Sequence, residues 1–167
     1  MIKVTINSAT GFTNAEYIKL RDAAVLLQEV LSSNSFKLAV LNHRYQDKLQ
    51  FANNLNMTNE QIYKAIMLGR EVLNEEEDEE IDVYVTMYYS LKRVIGYTYP
   101  DTARTWINRR YFKKFSSAQI AGNLMHEWLH KAGFDHDFYP TAKRPYSVPY
   151  AIGNMVVGLA TALETSK

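Results

Sequence analysis

Residues 126 to 136 read His-Glu-Trp-Leu-His-Lys-Ala-Gly-Phe-Asp-His, which puts three of the chain's four histidines within one short stretch. On a helix His126 and His130 stand one turn apart on the same face, so both imidazoles can reach one ion at a Zn–N distance of about 2.0–2.1 Å. Glu127 falls beside that face, where its carboxylate can contact a water on the metal without ligating it, the place of a general base. Gly133, with no Cβ, can enter the left-handed conformation, end the helix and turn the chain back, which brings His136 round as a third ligand. Three protein ligands leave the fourth position of a tetrahedral ion open to water, as in a catalytic rather than a structural site. The expected cofactor is therefore one Zn2+ per chain, with cobalt or other divalent ions accepted in vitro.

The pattern HExxHxxGxxH resembles the long zinc-binding consensus of the metzincin clan of metallopeptidases. By that resemblance His126, His130 and His136 are zinc ligands and Glu127 is the base and proton shuttle. The resemblance also implies a mixed sheet ahead of the motif helix, with an antiparallel edge strand that holds extended substrate. Residues 94–99 look like its counterpart, which makes Tyr97 and Tyr99 candidates for lining the cleft, with cross-strand packing as the alternative. The clan's Met-turn has one candidate here, Met155, for which core packing is the rival reading. Tyr146 and Tyr150 are the phenols that could donate to a developing oxyanion if their loop folds over the zinc, or they pack. The part after Gly133 resembles the clan's lower subdomain. The likeness covers about residues 82–155.

These residues point to hydrolysis of a polypeptide substrate by a zinc metalloendopeptidase. Two other functions stay open. A bacterial family of small endoribonucleases is similar in its HxxxHxxGxxH site and often ends it with an aromatic-Asp-His triplet like Phe134-Asp135-His136, but it usually carries glycine where this chain has Glu127. A zinc-binding module without turnover would have no evident need for Glu127.

The elements that must position the motif follow from local patterns. Residues 2–6 alternate as a strand, and capping boxes at Thr13/Glu16, Thr58/Gln61 and Ser116/Gln119 open three helices. The first runs to about Leu31, the second stops before the acidic run, and the third is the motif helix, with Ile120, Ala121, Leu124, Met125, Trp128, Leu129 and Ala132 inward. Residues 36–41 read as a second strand with His43, a structural or surface histidine, at its end. Residues 82–89, β-branched and aromatic, read as a central strand. Residues 94–99 and 104–108 are shorter extended pieces separated by the turn signal Pro100-Asp101. Residues 134–147 are loop, and Ser147 with Pro149 starts a last helix to about Leu163. The fold class expected is α/β (α+β): a mixed, mostly parallel twisted sheet packed by helices, with the antiparallel edge that the resemblance implies and a small C-terminal helical subdomain. One domain spans 1–167, divided at about 133/134.

With 167 residues, 47% hydrophobic and 22% charged, the composition excludes disorder and collagen-like repeats. No cysteine is present, which removes disulfides and thiolate metal sites. The 19 basic and 18 acidic residues are unevenly placed: residues 75–80 are all acidic, and residues 92–114 hold seven bases against Asp101. An acidic run reads as a solvated loop, and the basic stretch as surface charge before it reads as a nucleic-acid site. The most apolar late stretch, 152–163, is too short to span a bilayer, so no membrane partner is expected. No signal peptide precedes the first strand, which suits a cytoplasmic protein, whereas the resemblance suggests an exported one.

Overall fold

In the strand β4 (Glu80–Tyr88), Ile81, Val83, Val85 and Met87 are buried while Asp82, Tyr84, Thr86 and Tyr88 stay partly exposed. Strict alternation sends one set of side chains into the core and the other to the opposite face of the sheet. The structure is a computed structural model that describes residues 2–74, 76–99 and 101–166. Glu75 of the acidic run and Pro100 of the turn signal lie outside the described residues.

β4 is central, as expected. It pairs in parallel with β1 (Lys3–Thr10) on one side and β6 (Arg104–Asn108) on the other, and β5 (Gly96–Thr98) adds antiparallel to β6 at the edge. The sheet order is β1-β4-β6-β5, mixed and mostly parallel. Val85, Ile107 and Met125 share one core cluster with Leu27 and Val30 of α1 (Asn14–Leu31) and Leu129 of α5 (Ser117–Lys131). Each such fully buried aliphatic side chain stabilises the fold by about 1.5–3 kcal/mol.

All three capping boxes form. Thr13, Thr58 and Ser116 accept from the backbone N–H groups of Glu16, Gln61 and Gln119, and those side chains return the bond, opening α1, α3 (Asn59–Met67) and α5. The last helix, α6 (Val148–Thr165), starts where Ser147 and Pro149 indicated and packs along α5. Among the described residues no helix is long and apolar enough to cross a membrane.

Residues 36–41 correct the expectation of a strand, because they lie in a helix, α2 (Asn34–Leu41). The Ser33 hydroxyl caps it by accepting from the Phe36 N–H at 3.1 Å, and Phe36 and Val40, one turn apart, supply its buried face. Two-residue strands β2 (Arg44–Tyr45) and β3 (Lys48–Leu49) then make a small hairpin whose turn residues Gln46 and Asp47 both have positive φ. A short helix, α4 (Arg109–Lys114), capped by the Asn108 side chain, joins β6 to α5.

Three of the seven bases of the basic stretch are drawn into these joints. Arg109 pairs with Glu16, Arg104 donates to Thr86 at 2.6 Å, and Arg110 donates to the Leu91 carbonyl at 3.1 Å. These are structural uses of charge.

Candidate metal centre

α5 projects His126 and His130 from one face, and its end positions His136. The helix stops at Ala132, and Gly133 takes φ +91°, a conformation in which any side chain would be strained. The chain reverses there, Phe134 plugs into the core, and His136 returns beside the helix. Ligand atoms of His126, His130 and His136 lie within 4.8 Å of one another, and the three ring centroids are 4.9–5.2 Å apart. The three imidazoles could hold one metal ion.

The surroundings fit that role. The Nδ1 atoms of His130 and His136 lie 2.9 and 3.1 Å from the carbonyls of Phe134 and Asp137. A carbonyl can only accept, so Nδ1 carries the proton in both rings and Nε2 is left with its lone pair for a ligand bond. Burial lowers the pKa of His126 to about 3, with neighbouring His130 and His136 adding to it against a backbone hydrogen bond involving Pro149. Burial and then His136 lower that of His130 as well. Neutral imidazoles are the metal-binding form.

Glu127 is 5% exposed, and burial raises its carboxyl to about pH 7 despite the Lys131 charge. It faces the edge strand. A Cβ added at Gly96 would stand 3.3 Å from Glu127 Oε1 and 3.4 Å from Asn123 Oδ1, so the bare backbone at 96 is what lets the carboxylate sit against β5. Asn123, one turn before Glu127, presents a buried Oδ1 with no hydrogen-bond partner. Neither Gly96 nor Asn123 was singled out from the sequence, although the i, i+4 spacing of Asn123 to Glu127 was a usable signal.

The remaining candidates divide. Tyr150, in the first turn of α6, lies over the cluster, its ring centroid 4.7 Å from those of both His126 and His136. Tyr146, in a 3-10 turn (Arg144–Tyr146), packs instead against Tyr45 and His43, so it joins a different aromatic group. His43 stacks on Phe51 at 4.1 Å, a structural placement outside the three-histidine group. Met155 sits inside α6 and packs against the core rather than in a separate tight turn, because residues 148–165 continue as helix through it. Tyr97 on β5, and Tyr99 just past its end, alternate with Gly96 and Thr98, so they point away from Glu127. They pack instead with Trp106, at 5.2 and 5.8 Å between centroids, on the sheet's other face.

α6 can bring Tyr150 to the histidines because α5 and α6 cross at glycines. A Cβ on Gly153 would meet His126 Cβ at 3.3 Å and the Gly122 carbonyl at 3.1 Å, and one on Gly122 would meet Val157 at 2.3 Å.

No family model matches the chain, and no curated protein matches it.

Proposed function

We propose that the chain is a zinc-dependent peptidase of the metzincin type, in which His126, His130 and His136 hold the ion and Glu127 is the general base. The observation that carries this reading is Glu127: a buried carboxyl, made more basic by that burial, next in the chain to His126 of a convergent three-imidazole group and against an edge strand. A carboxylate shielded from water in this way accepts a proton more readily than a solvated one, as a general base must. A three-histidine group without that carboxyl would support binding alone.

Zinc would supply Lewis acidity, polarising a peptide carbonyl and acidifying a water. Glu127 receives the proton of the attacking water on a carboxylate oxygen and delivers it to the departing amine. Among the described residues β5 is the edge strand, paired on one side to β6, and its outer side offers backbone groups to an extended peptide. The carbonyls of Phe134 and Asp137 hold two imidazoles in one tautomer, and the Tyr150 ring packs edge-on against the rings of His126 and His136. The wide spread of aromatics on the opposite sheet face takes no part.

The test compares wild type with Glu127→Gln for zinc content and for cleavage of a mixed peptide library, with a structured RNA in parallel. One zinc in both proteins and peptide cleavage in wild type alone is the expected result. RNA cleavage without peptide cleavage would replace this reading with the nuclease, and zinc with neither activity would replace it with a binding module.

A further inference from the structure

Among the described residues Arg144 is a cation without a counterion, beside the histidine cluster. Its guanidinium lies over the Tyr150 ring, 4.7 Å from the centroid, and that same ring stands 4.7 Å from His126 and from His136. Its Nε is buried with no hydrogen-bond partner. Among the described residues its side chain has no ion pair and no protein acceptor, although its main chain is fully engaged through Thr141 and Ser147. The carboxylate nearest in sequence is taken: Asp137 pairs with Lys143 at 3.2 Å and accepts from Thr141.

The guanidinium thus sits over an aromatic face, its Nε buried and, among the described residues, its two terminal nitrogens unclaimed by the protein. A planar fork fixed in this way binds a carboxylate through two parallel N–H···O bonds, and the cost of ordering the long side chain is already met. Where Arg109 finds Glu16, Arg104 the Thr86 hydroxyl and Arg110 the Leu91 carbonyl, the Arg144 guanidinium finds no protein oxygen among the described residues.

We propose that Arg144 is a specificity-determining residue: it binds a carboxylate of the peptide substrate beside the bond to be cleaved, with Tyr150 as the platform that aims it. The inference rests on the peptidase reading. The carboxylate has two sources, the C-terminus of the substrate or an Asp or Glu side chain within it, and both present the same group to the fork.

The test is a calorimetric titration of the zinc-loaded protein in a Glu127→Gln background, so that peptide is held uncut, with three N-acetylated tetrapeptides: one with a free C-terminus, the same peptide amidated, and an amidated peptide containing one Glu; hydrolysis of each is followed separately with Glu127 intact. The protein that is wild type at Arg144 is expected to bind at least one carboxylate-bearing peptide about tenfold more tightly than the neutral one. Which one it prefers identifies the source. In Arg144→Gln the preference disappears with zinc content unchanged, and in Arg144→Lys it returns in part, since a point charge keeps attraction but not the fork. Equal binding of all three peptides by wild type, or a preference that persists in Arg144→Gln through direct contact with the metal, would overturn the proposal. If Arg144→Gln fails to fold, Arg144→Lys decides: an undiminished preference there counts against the fork. Arg144-dependent binding without hydrolysis of any peptide upholds the anion site and removes the peptidase reading, so the two failures are separable.

Discussion

The indole N–H of Trp128 donates to the Glu71 carboxylate at 2.6 Å, joining the back of the motif helix to the segment that follows α3. Glu71 is 9% exposed, and burial raises its pKa while the Trp128 bond opposes that rise. Trp128 lies two residues before His130, so this bond anchors the helix face opposite the three-histidine group. Trp128→Phe keeps most of the packing and strands the carboxylate. A loss of about 1–3 kcal/mol is expected in urea unfolding, the cost of an unsatisfied buried group. Adding Glu71→Leu should recover part of it, because the stranded group is then gone. Strict additivity of the two losses would mean the bond carries no coupling.

Lys131 gives that same face a pH dependence. Burial lowers its amine from the ordinary 10.5 to about 8, against the pull of Glu71, Glu127 and Asp82. A folded pKa below the unfolded one means that folding prefers the neutral amine. The contribution is complete above about pH 10.5 and is lost as pH falls through about 8. Lys131→Met removes it. The stability of wild type minus that of Lys131→Met should therefore rise by roughly 3 kcal/mol between those two pH values, the equivalent of the shift. A flat difference in denaturant titrations across that range would show an amine that stays hydrated.

What the sequence made legible is what is local in the chain. The capping boxes, the alternation of β4 and the histidine spacing each operate within one element or across one turn, where neighbours in sequence are neighbours in space. Residues 36–41 were ambiguous because a short apolar run lacks a clear period, and the Ser33 cap is what separates helix from strand. The facing of Tyr97 and Tyr99 depends on the register of β5 against β6, and a shift of one residue would reverse it. Tyr150 over the histidines, Gly96 against Glu127 and Arg144 on Tyr150 all arise from tertiary contact, which spacing does not encode.

Metal binding should be visible as stability. A ligand that binds only the folded chain adds RT ln(1 + [L]/Kd), about 2.7 kcal/mol at a hundredfold excess over Kd. One equivalent of zinc is expected to raise the melting temperature of wild type, and a chelator to reverse the shift. His126→Ala, His130→Ala and His136→Ala should each abolish most of the shift, because each removes one of three donors. His43→Ala, whose ring stacks on Phe51, should leave the shift intact even though it lowers the starting temperature. A zinc shift that survives any of the three ligand substitutions would take that residue out of the site.

The α5–α6 crossing makes three glycines of α5 and α6 respond differently to the same added methyl group. Gly158 has nothing within 4 Å of a built Cβ and lies on the exposed side of α6, so Gly158→Ala should stabilise by about 0.5–1 kcal/mol through helix propensity alone. At Gly153 the methyl meets His126 Cβ and the Gly122 carbonyl at 3.3 and 3.1 Å, and both neighbours must yield by a few tenths of an ångström. At Gly122 it meets Val157 at 2.3 Å and the Gly153 carbonyl at 2.7 Å, so the helices must separate. Overpacking of this kind costs about 1–3 kcal/mol, so Gly122→Ala should be the most destabilised of the three. Zinc binding by the three-histidine group, where it occurs, adds a second readout that stability does not. Gly153→Ala pushes directly on His126 and on the α6 turn that carries Tyr150, so its zinc affinity should fall at least as far as that of Gly122→Ala despite the smaller loss in urea unfolding. Zinc affinities that simply track the three stabilities would mean that the crossing sets the packing of α6 without setting the position of His126.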